Sequence, residues 1–142
     1  MGKSEYIQYD LLKLTEGSNE LTIPNGYFNG ENIASFKISN NGVIKRIVIG
    51  DYCFENVRVF ELDELSELES VVIGENGFWI SDKERSDGDY RIVNCPKLKS
   101  IEIGYDSFYD YHSFEMNSLP SLQSIVLGDH SFNWAPSFSL TG

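Results

Sequence analysis

The chain has 142 residues, with 22 Asp and Glu against 11 Lys and Arg, a formal net charge of -11, and 41% hydrophobic residues. That length is one domain's worth with a thin core, and the charge argues against nucleic acid or an anionic membrane surface as ligand, since both are held by Lys and Arg. No apolar run approaches a membrane span and Met1 to Tyr6 lacks the apolar stretch of a signal peptide, so no membrane insertion is expected.

Residues 1–20 carry only a blurred copy of the later repeat (Tyr9, Leu11, Leu14), as a degenerate N-terminal cap would. From residue 21 a unit returns. Its closing Gly stands at 50, 74, 104 and 128, in steps of 24, 30 and 24, and a Phe stands four positions later at 54, 78, 108 and 132. From the second aromatic to the Gly the count is 14 in every coil: Phe36 to Gly50, Phe60 to Gly74, Tyr90 to Gly104, Phe114 to Gly128. A fixed period of this size predicts a solenoid, whose coils bury their apolar faces only against one another. The coils fall at about 21–50, 51–74, 75–104 and 105–128, with 129–142 an incomplete coil, all within one repeat domain.

Each coil holds two strand signals. The first is Ile44-x-x-Ile47-x-Ile49-Gly50, repeated as Leu68 to Gly74, Leu98 to Gly104 and Leu122 to Gly128, with branched residues alternating onto one face. The second is Phe36-Lys37-Ile38, repeated at Phe60, Tyr90, Phe114 and Phe138. The expected fold is therefore β-rich and right-handed, about 24 residues per coil, with little helix. Its parallel strands stack into two short sheets, with coils about 4.8 Å apart. Leu65, Cys95 and Leu119 point inward, and the polar insertion Ser81 to Gly88 reads as a solvated loop.

Leu-x-x-Ile-x-Ile-Gly, with Ser-Phe and Leu-Pro-x-Leu at fixed offsets, resembles a leucine-rich repeat over roughly residues 21–142. It looks closest to the Phe-containing BspA-like subtype common in bacterial and protist surface and secreted proteins. It departs from the best-known signature in placing Gly50, Gly74, Gly104 and Gly128 where an Asn usually comes after the strand. The resemblance implies a binding or scaffolding surface and carries no catalytic residues.

Candidate chemistry is sparse. Cys53 and Cys95 occupy different edges and are expected to be reduced, buried and inert. His112 and His130 lie near Asp106, Asp110, Glu115 and Asp129, but they align with ordinary exposed positions of other coils. Asp51, Glu75 and Asp129 share the position after the Gly, where Tyr105 interrupts what could have been a calcium column, so a solvated acidic turn is expected and no metal or cofactor is assigned. In the second sheet the outward column Lys37, Glu61, Arg91, Glu115 alternates in sign and reads as a ladder fixing coil register.

Two surfaces are candidates for ligand binding: an apolar strip, Val48, Val72 and Val126, on the outer face of the first sheet, and an aromatic corner, Trp79, Tyr109, Tyr111 and Trp134. No nucleophile stands with a base and an orienting partner, so an enzyme is not expected. The leading expectation is a non-catalytic protein–protein interaction module. The alternatives are a carbohydrate-binding or adhesive domain that stacks sugars on the aromatics, and a fragment of a longer array with no function of its own. A protein partner is expected, and self-association through the open C-terminal coil is a further expectation.

Overall fold

A computed structural model describes residues 19–30, 33–80 and 88–132, and the backbone of 137–141. It is a parallel β-solenoid of about 24 residues per turn without helix among the described residues. The strands are β1 (Glu20–Ile23), β2 (Ser35–Asn41), β3 (Arg46–Ile49), β4 (Val59–Leu65) and β5 (Ser70–Ile73), then β6 (Gly88–Val93), β7 (Ser100–Ile103), β8 (Tyr111–Asn117), β9 (Ser124–Leu127) and β10 (Ser137–Thr141). They form two five-stranded sheets, β1-β3-β5-β7-β9 and β2-β4-β6-β8-β10. The expected register holds residue by residue: Ile49 faces Ile73, Phe36 faces Phe60, Tyr90 faces Phe114, and Phe138 faces Phe114.

The core is two interleaved aromatic stacks. Along one, Phe28, Phe54, Phe78, Phe108 and Phe132 lie face to face with ring centroids 4.6–5.2 Å apart. Along the other, Phe36, Phe60, Tyr90 and Phe114 do the same at 4.6–5.2 Å. The stacks meet edge-on: Phe60 stands against Phe78 at 5.0 Å and Phe108 at 5.2 Å, and Tyr90 against Phe108 at 5.1 Å and Phe132 at 5.0 Å. Each of these rings of the second stack is thus wedged between two coils of the first. Leu65, Cys95 and Leu119 complete the interior at 0–6% exposure.

The corners turn through left-handed backbone. In the first stack every Phe has positive φ: 63° at Phe28, 58° at Phe54, 53° at Phe78, 58° at Phe108 and 54° at Phe132. Two further columns share this conformation, Tyr52, Asn76, Asp106 and His130 after the glycine, and Asn40, Glu64, Asn94 and Ser118 at the opposite corner. For a non-glycine residue the conformation costs about 1–2 kcal/mol, whereas burying a Phe gains about 1.5–3 kcal/mol before ring stacking adds about 0.5–1.5. Burial wins, and the ring column holds the corner in place.

The corner glycines are required by proximity, not by φ. Each N–H continues the ladder into the preceding coil, Gly74 to the Ile49 carbonyl and Gly104 to that of Ile73, both at 2.8 Å. A Cβ on Gly104 would meet Gly74 C at 2.7 Å and Glu75 N at 2.9 Å, and one on Gly128 would meet Tyr105 N at 2.6 Å. Pro24 occupies the first position of this column, where it has no N–H to donate. The last coil differs in the other sense: Leu127 is 38% exposed where Ile49, Ile73 and Ile103 are at 1%.

The insertion needs one correction. Gly88 belongs to strand β6 and is buried, while Ser81 to Asp87 lie outside the described residues. Its missing side chain makes room for Tyr111, whose ring carbons lie 2.5–2.8 Å from where a Cβ would be. The charge ladder is formed around Arg91, which reaches Glu61 and Glu115 at 3.2 Å each and Asp63 at 3.7 Å. At such exposure each pair stabilises by only about 0.2–1 kcal/mol, so it tunes register that the aromatic stacks already impose.

Gly104→Ala is expected to destabilise the protein by about 1–3 kcal/mol through backbone overpacking, whereas Gly30→Ala, whose nearest neighbour would be Ile33 Cδ1 at 3.8 Å, leaves stability within about 0.5 kcal/mol. Thermal melts of the two variants check this, and equal melting temperatures would remove close coil approach as the reason for the glycine.

Candidate functional site

Three segments per coil differ in what they expose: the two sheet faces and the edge running from the corner glycine to the residues just past the first-stack Phe. That edge gathers most of the exposed rings. Tyr27, Tyr52, Trp79 and Tyr105 are 50%, 60%, 38% and 44% exposed, and Tyr109 beside them is half-buried. Backbone hydrogen bonds from coil to coil hold their platform: Tyr52 N donates to Glu75 O, Asn76 N to Tyr105 O and Asp106 N to Asp129 O at 2.9–3.0 Å, and Asn56 N to Trp79 O at 2.9 Å. Asn25 Oδ1 accepts from Asp51 N at 2.7 Å and Asp51 Oδ1 from Glu75 N at 2.8 Å. The rings are therefore displayed on a rigid scaffold.

Carboxylates interleave with the rings. Asp51, Glu55, Glu75, Asp106 and Asp129 lie in these segments, as does the buried Asp110, and no Lys or Arg does among the described residues. Tyr105 occupies the same position in its coil as Glu75 and Asp129 in the neighbouring coils, and Trp79 the same position as Glu55. His130 sits over the end of the edge, its ring 5.6 Å from Tyr105 and 6.5 Å from Tyr109, with Nδ1 3.3 Å from Asp106 Oδ1. Among the described residues no group of three or more His, Cys, Asp and Glu converges as metal ligands.

The predicted candidates divide. Trp79 is exposed and Tyr109 partly so, both on this edge. Tyr111 is not a surface residue: it is fully buried, packs edge-on against Phe108 at 4.8 Å, and donates its hydroxyl to Val57 O at 2.5 Å. Its position, three residues after Phe108, is that of Val57 after Phe54, a core column hidden from the aromatic corner reading. Trp134 lies outside the described residues. In the valine strip Val126 is 52% exposed, but Val48 and Val72 are half-buried, and exposed Glu102 breaks the column. Tyr27, Tyr52 and Tyr105 are exposed rings that sequence reasoning missed as ligand contacts. The signal for them is elimination, since each is a large ring at a position outside both inward stacks.

The small residues one place before the Phe tie the edge to the preceding coil. Ser107 Oγ donates to Gly74 O and accepts from Gly77 N, Ser131 Oγ donates to Gly104 O, and Cys53 Sγ approaches Pro24 O at 3.1 Å. Burial pushes the thiols of Cys53 and Cys95 up from their ordinary values, which leaves both as inert core groups.

Comparison of the chain with protein-family models, with curated proteins and with solved structures found no match.

Tyr90 and Tyr111 behave oppositely in the core. Tyr90 replaces a Phe of its stack and its hydroxyl finds no partner among the described residues. Tyr90→Phe is therefore expected to stabilise by about 1 kcal/mol and Tyr111→Phe to destabilise by about as much. Burial raises the pKa of both above the ordinary 10.0. The unfolded chain thus loses these protons first as pH rises, so their stabilisation is intact below pH about 10 and declines above it. Denaturant midpoints at neutral pH and above pH 10 check both points; a less stable Tyr90→Phe, or an alkaline decline as steep as wild type in that variant, would contradict them.

Proposed function

We propose that the protein is a non-catalytic interaction module of leucine-rich-repeat type, nearest the BspA-like form, that binds a protein partner through the glycine–phenylalanine edge. The observation that carries this reading is the row of exposed Tyr27, Tyr52, Trp79 and Tyr105 along one edge. Large amphipathic rings held on a hydrogen-bonded platform bury much area on binding with little loss of side-chain entropy, the property of interface hot spots. Tyr27 meets Phe28 edge-on at 6.0 Å, whereas Tyr52, Trp79 and Tyr105 make no ring contact with either stack among the described residues, so core packing does not account for these three. The valine strip is the weaker surface, because two of its three members are already half covered. A carbohydrate ligand stacking on Trp79 and Tyr109 is the second reading; it loses Tyr111 as a platform, since that ring is inside.

The test compares two surfaces in one chain. Trp79→Ser with Tyr105→Ser is expected to leave the melting temperature within a few degrees of wild type and to abolish cross-linking of a partner that wild type captures, while Val48→Ser with Val72→Ser retains that capture. The reverse pattern would move the interface to the sheet face. Binding to a neutral oligosaccharide panel that Trp79→Ser alone removes would favour the second reading.

A further inference from the structure

We propose that the partner's contacting segment is cationic: Lys or Arg side chains lie on the rings of Trp79 and Tyr105 and pair with the carboxylates of Glu55, Glu75 and Asp129. This rests on the edge being the binding surface and specifies what fits it.

Three features of the edge argue for that chemistry. The first is the pairing of ring and carboxylate. Tyr105 has Glu75 and Asp129 at the same position of the adjoining coils and Trp79 has Glu55, and equivalent positions of adjoining coils are separated by about 4.8 Å. A guanidinium resting on one of these rings is then within one coil spacing of an anionic acceptor, combining a cation–π contact with an ion pair. The second is charge composition. The described edge holds carboxylates and one His but no Lys or Arg, whereas both sheet faces and the opposite corner mix the two signs, as in Arg91 with Glu61 and Lys97 with Glu67. An acidic or phosphorylated partner would meet repulsion from the described carboxylates of the edge. The third is Tyr52, which is 60% exposed with φ of 58°, in a column that also holds Gly26, Asn76, Asp106 and His130. Gly, Asn and Asp accept left-handed backbone readily and Tyr does not. An exposed Tyr here forgoes the stability that Asn would give at this position and stands outside both stacks, where a partner can reach its ring.

The structure supplies variants that remove charge without disturbing the fold. Asn25 already makes at its position the hydrogen bond that Asp51 makes at the next, so Asp51→Asn keeps it. Combined with Glu75→Gln and Asp129→Asn, it removes three of the six edge carboxylates, including both acceptors beside Tyr105, and leaves Glu55, Asp106 and Asp110. Glu64→Gln, Glu69→Gln and Glu102→Gln remove the same net charge from exposed positions elsewhere. The probe is a short peptide of alternating Arg and Ser, titrated calorimetrically into the full chain at low salt.

The expected result is saturable binding that the triple edge variant and Trp79→Ala each weaken by about tenfold or more. The charge-matched control should weaken it by less than about threefold, the screened effect of net charge. Tyr52→Asn should raise the melting temperature while lowering affinity. Equal weakening by the control, no binding of the Arg peptide, or equal binding of a Glu and Ser peptide overturns the cationic assignment. If, in addition, a neutral ligand binds and Trp79→Ala abolishes it, the edge stands as a binding surface with a different occupant. If Trp79→Ala alters binding of no ligand, including a captured partner, the edge reading falls as well.

Discussion

The structure depends on two aromatic stacks meeting at right angles. A strand ladder alone sets the spacing of coils but leaves each coil free to slide or splay at its corners, where three residues per turn adopt left-handed backbone against their own preference. Rings of the second stack wedge between rings of the first, Phe60 between Phe78 and Phe108, Tyr90 between Phe108 and Phe132. Moving one coil relative to the next breaks edge-on and face-on contacts together, so register and corner geometry are fixed by the same atoms. Hydrogen bonds and the Arg91 ladder then settle into an arrangement the rings have chosen.

That division explains what in the fold can vary. Positions in the stacks admit an aromatic ring and little else, and the corner glycines admit no Cβ because the preceding coil's backbone is already there. The outward positions of the edge carry no such demand: Asp51, Glu75, Tyr105 and Asp129 exchange freely at one of them. Function has room only where the stack is indifferent.

The period, both stacks, the sheet pairing and the inward Leu65, Cys95 and Leu119 were legible in the sequence because burial in a solenoid repeats at fixed spacing. Backbone handedness was not legible. Nothing in Phe54 or Phe78 signals positive φ, since that conformation is imposed by packing across coils and opposes local preference. Tyr111 misled for a related reason: the insertion before Tyr90 interrupts the Val57 column in the coil between, and the space for its ring comes from Gly88, a residue that composition alone assigns to a loop. At the edge, Trp79 was visible as a ring outside the stacks, whereas Tyr52 and Tyr105 were hidden among polar residues of their columns. Their significance emerges only when neighbouring coils are laid side by side.

The central claim is energetic coupling between the stacks, and a double-mutant cycle measures it directly. Phe60 and Phe108 touch edge-on at 5.2 Å, so Phe60→Leu and Phe108→Leu should show a coupling of about 0.5–1.5 kcal/mol in denaturant unfolding. A pair taken from opposite ends of the core, Phe36→Leu with Phe114→Leu, should be additive to within about 0.3–0.5 kcal/mol. Additivity in the contacting pair would mean that the rings only fill space and that the strand ladders set the register.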